Sequence, residues 1–122
     1  MRRTLAAVAV VLATITLVTA CGDEEKPSSD AGSQDPKVIE VTFDGDSVTP
    51  NGDRVEVATG QDVELQITAD EGGEIHVHSD PEQEIEYPAG ESTQTIEGID
   101  KPGTVDVESH TLEKIVVQLE VQ

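Results

Sequence analysis

The fold class this sequence predicts is all-β, an antiparallel β-sandwich of about seven short strands filling residues 37–122. Three observations predict it. Apolar residues recur at every second position in segment after segment, turn residues separate those segments, and helical spacing is nearly absent beyond residue 20.

The first twenty residues follow other rules. Met1-Arg2-Arg3-Thr4 is a short cationic head, and Leu5 to Val18 is almost wholly Ala, Val, Leu and Ile. A charged head, an apolar stretch and a small-residue cleavage zone form the pattern of a secretory signal. The apolar run is shorter than the roughly 20 residues that span a bilayer. Leu17-Val18-Thr19-Ala20-Cys21 resembles the lipobox of bacterial lipoproteins. That resemblance implies cleavage after Ala20, acyl chains on Cys21, and export to the outer face of the cell membrane or the periplasmic envelope. Two acyl chains anchor stably where one holds only marginally. Cys21 is the single cysteine, so an exported domain has neither an internal disulfide nor a thiolate ligand.

Residues 21–36 are expected to be a tether. From Gly22 to Pro36 the chain is rich in Ser, Pro and Asp and carries no large apolar side chain. Such a segment cannot bury enough surface to fold and serves as a flexible spacer.

The strands follow. Ile39, Val41 and Phe43 alternate with Glu40 and Thr42, and Val55 and Val57 flank Glu56. Val63, Leu65 and Ile67 alternate with Glu64 and Gln66; Ile75 and Val77 alternate with His76 and His78. Thr93 and Thr95 share a side of the segment that carries Ile96. Val105 and Val107 alternate with Asp106 and Glu108, and the last run spans Ile115 to Val121. Between them lie Asp44-Gly45-Asp46, Asn51-Gly52-Asp53, Thr59-Gly60-Gln61, Glu71-Gly72-Gly73, Pro88-Ala89-Gly90 and Pro102-Gly103. Period two gives each sheet one dry and one wet face, as a two-layer stack requires.

Charge narrows the partners. The formal net charge is −19, and removing Arg2 and Arg3 with the leader takes it to −21. A field of that sign repels nucleic acid and anionic lipid, and favours cations and basic proteins. It also keeps a protein well solvated.

The order of motifs resembles a cupredoxin. Gly60-Gln61-Asp62-Val63-Glu64-Leu65 is similar to a turn and long strand of that family, and Pro102-Gly103-Thr104-Val105-Asp106-Val107 to its approach to the metal loop. Counting on from Pro102-Gly103, the family's copper-ligand cysteine falls on Ser109 and its histidine on Leu112. Lys114 and Ile115 stand where the axial methionine belongs. The resemblance therefore implies the fold without a blue-copper centre, whose trigonal site needs a thiolate. Glu74 to Asp80 with Val107 to His110 is similar to the cysteine-less cupredoxin-like domains of bacterial envelope and iron-uptake proteins. By that likeness His76, His78 and His110 converge near one pole to hold copper or a similar divalent metal.

The residues carry part of that reading unaided. On a strand, His76 and His78 point to one face with Cα atoms about 6.6 Å apart, which suits chelation of one ion. Glu74, Asp80 and Glu108 are candidate acceptors to orient the rings. The alternative is that the histidines are exposed polar residues hydrogen-bonded to carboxylates.

Asp44-Gly45-Asp46 lacks the ligand at position 5 of a calcium loop, where Val48 stands. No nucleophile elbow or zinc-protease motif occurs. Ser109 and His110, as strand neighbours, point to opposite faces. The expectation is a non-enzymatic protein, either binding metal for sequestration or transfer, or serving as an interaction domain for a membrane-protein partner.

Overall fold

The computed structural model describes residues 34–122. The expected leader, the lipidation site Cys21 and most of the tether lie outside the described residues. Among the described residues nine strands occur: β1 Lys37–Asp44, β2 Ser47–Thr49, β3 Asp53–Val57, β4 Val63–Ala69, β5 Gly73–Val77, β6 Gln83–Tyr87, β7 Gly90–Ile96, β8 Gly103–Ser109 and β9 Lys114–Val121. They form two sheets, a four-stranded one in the order β2-β1-β4-β7 and a five-stranded one in the order β3-β9-β8-β5-β6. Among the described residues there is no helix.

The two-layer sandwich is the one the alternation predicts, with two strands added. β2 is only three residues long, and β6, Gln-Glu-Ile-Glu-Tyr, is largely polar. The pairing is also mixed rather than wholly antiparallel. β1 runs parallel to β4, with Ile39 opposite Leu65, and β3 runs parallel to β9, with Val55 opposite Leu119. Alternation fixes which face a residue takes but not the direction of the strand beside it, and here the chain passes repeatedly from one sheet to the other.

Period two fills the space between the sheets. β4 alternates buried Val63, Leu65, Ile67 and Ala69 with Glu64, Gln66 and Thr68. Ile75 and Val77 of β5, Val107 of β8, and Val116, Val117 and Leu119 of β9 are fully buried from the other side. Burying a side chain of this size stabilises by about 1.5–3 kcal/mol. Phe43 and Tyr87 close one end of the core, their rings stacked with centroids 4.8 Å apart.

Two glycines lock the opposite flank. Gly60 takes φ 76° in the turn before β4 and donates its N–H to the Ile99 carbonyl at 2.9 Å. A Cβ on Gly98 would lie 2.3 Å from the Gly60 carbonyl oxygen. Backbone meets backbone there, so only glycine fits.

Candidate metal site and its setting

Strands β8, β5 and β6 adjoin in that order, and their inward residues place every second side chain outside. Ile75 pairs with Ser109 and with Ile85, and Val77 with Val107; these residues turn to the core. Glu74, His76 and His78 must then face solvent. His76 stands in register between Glu108 of β8 and Glu84 of β6. Beyond β5, the His78 N–H donates to the Asp106 carbonyl at 2.9 Å, which continues the same alternation.

The chain then reverses. Ser79 Oγ donates to the Pro81 carbonyl at 2.7 Å, and the turn delivers Glu82 beside both imidazoles. His76 Nε2 lies 3.2 Å from Glu82 Oε2, and His78 Nδ1 lies 3.9 Å from Glu82 Oε1. The two rings sit with centroids 4.4 Å apart, tilted by 31°. One donor atom from each of His76, His78 and Glu82 lies within 4.8 Å of the other two. His78 turns its second nitrogen, Nε2, to Glu108 Oε2 at 3.0 Å. That contact leaves Nδ1 for the space shared with His76 and Glu82, the arrangement in which an outer carboxylate orients a metal-binding ring. His76 is 21% exposed, His78 40% and Glu82 63%, so the site is walled on the sheet side and open on the turn side. Imidazole nitrogens and a carboxylate suit divalent zinc, copper or nickel.

The sequence candidates divide here. His76 and His78 come together as their spacing requires. His110 stands outside the group that lies within 4.8 Å; its N–H donates to the Glu74 carbonyl at 3.0 Å, and its Nδ1 lies 3.9 Å from Glu74 Oε1. The register sets it two residue pairs along the strands, because His76 faces Glu108 and His110 lies beside Glu74. Of the expected orienting carboxylates, Glu108 takes that place on His78 and Glu74 lies beside His110. Asp80 is bound instead by Lys101, whose ammonium holds the Asp80 carboxyl below its usual range. Glu82 was missed because it lies off any strand. Asp80-Pro81 is a turn signal that would have marked the reversal.

The pole where the resemblance sets a copper centre carries a different set of side chains. Ser109 is fully buried and its Oγ accepts from the Leu112 N–H at 3.3 Å. Leu112 packs against the core, and Lys114 Nζ donates to the Asp46 carbonyl. A Cβ on Gly73 would meet the Tyr87 hydroxyl at 2.4 Å and Thr111 Oγ1 at 3.1 Å, so the phenol packs directly against the Gly73 backbone. Burial pushes that phenol above its ordinary value, opposed by a hydrogen bond with Ser109 and reinforced by the charge of Asp70. A blue-copper ion does not fit this pole, which offers hydroxyls and an aliphatic side chain in place of thiolate and imidazole. Ser109 inside and His110 outside also rule out a catalytic pair.

No protein-family model matches the chain, and neither does any curated protein sequence. Solved structures do match. A mutant of amicyanin in its reduced Cu(I) form aligns at a TM-score of 0.50 and 13% identity, over 75% of this chain and 88% of that one. The blue copper oxidase from Nitrosomonas europaea aligns at 0.51 and 15% identity, over 71% of this chain; the match spans only 44% of the oxidase. At such identities the likeness speaks for the fold alone. With nine strands in two packed sheets and no helix among the described residues, the chain carries a cupredoxin-like β-sandwich.

Proposed function

We propose that this is an exported, lipid-anchored protein whose sandwich binds a divalent metal ion, copper(II) foremost, on the outer face of β5, for sequestration or transfer. His76 Nε2, His78 Nδ1 and the Glu82 carboxylate are the ligands, and Glu108 orients His78. The observation that carries this reading is the convergence of those three donors within 4.8 Å. Three protein ligands leave coordination positions for water or an incoming ligand. The exposed side of Glu82 gives an ion a way in and out, which suits a carrier better than a permanent structural site. Copper(II) heads the expected order because imidazole sites follow the general affinity series of divalent ions.

The test is calorimetric titration of the full chain in detergent with copper(II), comparing wild type with His76→Ala/His78→Ala. Loss of the tight binding event in the variant supports the site. Equal binding in both would sink it and leave the other reading, an interaction domain whose acidic sandwich meets a basic or membrane-protein partner. The anchor has its own test. Cys21→Ala is expected to free the protein from membranes or to leave an uncleaved precursor, and normal processing with unchanged membrane association would overturn it.

A further inference from the structure

Glu82 is the most exposed of the three donors, with 63% of its side chain in solvent, and it stands on the turn between β5 and β6. A carboxylate so placed must give up rotamer freedom to hold an ion, and gives up less when the backbone beneath it is fixed. The next residue fixes it. Val77 pairs with Gln83 in the register of β5 and β6, and Val77 is fully buried, so Gln83 stands at an inward position. One step back along the same register, Glu82 falls opposite His78 on the outer face.

Gln83 is polar where the alternation calls for an apolar side chain, and its amide has a partner of its own. The ladder of β4 and β7 ends at the pair Val63 and Ile96. Beyond it, Gln83 Nε2 donates to the Glu97 carbonyl at 3.0 Å, and the Glu97 N–H donates to Gln83 Oε1 at 2.8 Å. One side chain thus meets both backbone groups of the residue after β7 and ties the edges of the two sheets together. The segment it grips is held in turn. The Gly98 N–H donates to Asp62 Oδ1 at 2.8 Å, Gly98 packs on the Gly60 backbone, and the Gly60 N–H donates to the Ile99 carbonyl. A second tie to the turn, Lys101 on Asp80, has side chains 68% and 74% exposed. Exposed pairs of that kind contribute little and are screened by salt. The amide of Gln83 is the stronger anchor.

We propose that Gln83 is a positioning residue for the metal ligand Glu82, holding the turn against the other sheet so that the carboxylate stays beside the two imidazoles. The inference rests on the reading that His76, His78 and Glu82 bind metal. Gln83 touches no ion and acts only through its neighbour. Without the amide, the turn is released at its β6 end and the ion keeps the histidine pair but loses its carboxylate.

The test is calorimetry and electron paramagnetic resonance on the full chain in detergent, titrated with copper(II). Gln83→Leu and Gln83→Met fill the inward position without the amide. Each is expected to weaken copper(II) binding about 10-fold, as loss of a partner that orients a metal ligand does, and to shift the copper spectrum toward that of Glu82→Ala. In a Glu82→Ala background Gln83→Leu should cost nothing further, because coupled residues are not additive. Leu65→Ala, which loosens the core far from the turn, should bind copper(II) as wild type does. Wild-type affinity in both Gln83 variants, an equal loss with and without Glu82, or a matching loss in Leu65→Ala overturns the proposal, and the site still stands where His76→Ala/His78→Ala loses the tight event. Unchanged binding in His76→Ala/His78→Ala overturns the site and this proposal together.

Discussion

His78, just past the end of β5, reaches diagonally to Glu108 of β8, Nε2 to Oε2 at 3.0 Å. A carboxylate in that position fixes which nitrogen of the ring is free and strengthens it as a donor. Removing such a partner typically costs 10–100-fold in metal affinity. Glu108→Ala is expected to weaken copper(II) binding within that range. Glu108→Gln, which keeps an acceptor but not the charge, should fall between wild type and Ala. Calorimetry checks this alongside thermal melts of the metal-free proteins. If Glu108→Ala melts like wild type and binds copper equally well, the contact has no part in the site.

Copper loading should give no intense thiolate-to-copper absorption. Cys21, the only sulfur nucleophile, precedes the domain, and Ser109 stands at the pole. Absorption spectra of the copper-loaded full chain check this, and an intense blue band would mean that sulfur reaches the metal.

Tyr87 offers a direct reading of that pole. It is the one tyrosine and the chain has no tryptophan, so phenolate absorption reports it alone. Burial raises its pKa in the folded state above the ordinary value near 10. The neutral phenol is therefore favoured by folding. The associated stability is complete below the unfolded value and lost as pH rises through the folded one. Phenolate should appear later in the native protein than in denaturant, and stability should drop on the alkaline side. Tyr87→Phe should lose that alkaline dependence. Coincident titration in the native and unfolded states would show the phenol to be solvated.

Leu65 is fully buried in β4, one of the two inner strands of the four-stranded sheet. Leu65→Ala should destabilise by about 2–5 kcal/mol through lost burial and the cavity left behind. Chemical denaturation of both proteins measures it, and a change under about 1 kcal/mol would mean that the core collapses around the gap.

Gly98→Ala is expected to destabilise by about 1–3 kcal/mol, the usual cost of forcing a methyl into filled space. The neighbour here is the Gly60 backbone, which cannot swing aside as a side chain would. A neutral result in denaturant melts would show that the turn before β4 shifts freely.

The inward face of this protein was legible from residue types alone. Val63, Leu65 and Ile67 alternate so regularly with polar residues that only a half-buried strand accommodates them, and His76 and His78 follow from the same rule. β6 was not legible because Ile85 and Tyr87 are its only apolar residues and Glu84 and Glu86 dominate it. That omission also hid the face on which the site depends, since Glu82 approaches the imidazoles only when the chain turns back into β6. The parallel partners Val55 and Leu119 were beyond reach for another reason. Strand direction depends on how the chain crosses between layers, and side-chain character does not encode that. His110 shows the limit of placing segments without register: β5 and β8 do adjoin, but the register sets His110 beside Glu74 and not beside His76.

The parallel union of β3 and β9 bears on how the protein comes to be folded. Asp53 finds its partner in Val117, and β9, the last described strand to be synthesised, sits inside its sheet between β3 and β8. Until it arrives, β3 has no partner in its sheet, β8 has only β5, and the core lacks the buried side chains of β9. Pairings so far apart in sequence make for slow folding, in milliseconds to seconds for domains of this kind. Nascent fragments ending before Lys114 therefore stay open and sensitive to protease, and protection arrives in one late step once β9 is free to insert. A chain built this way remains threadable for as long as it is being made.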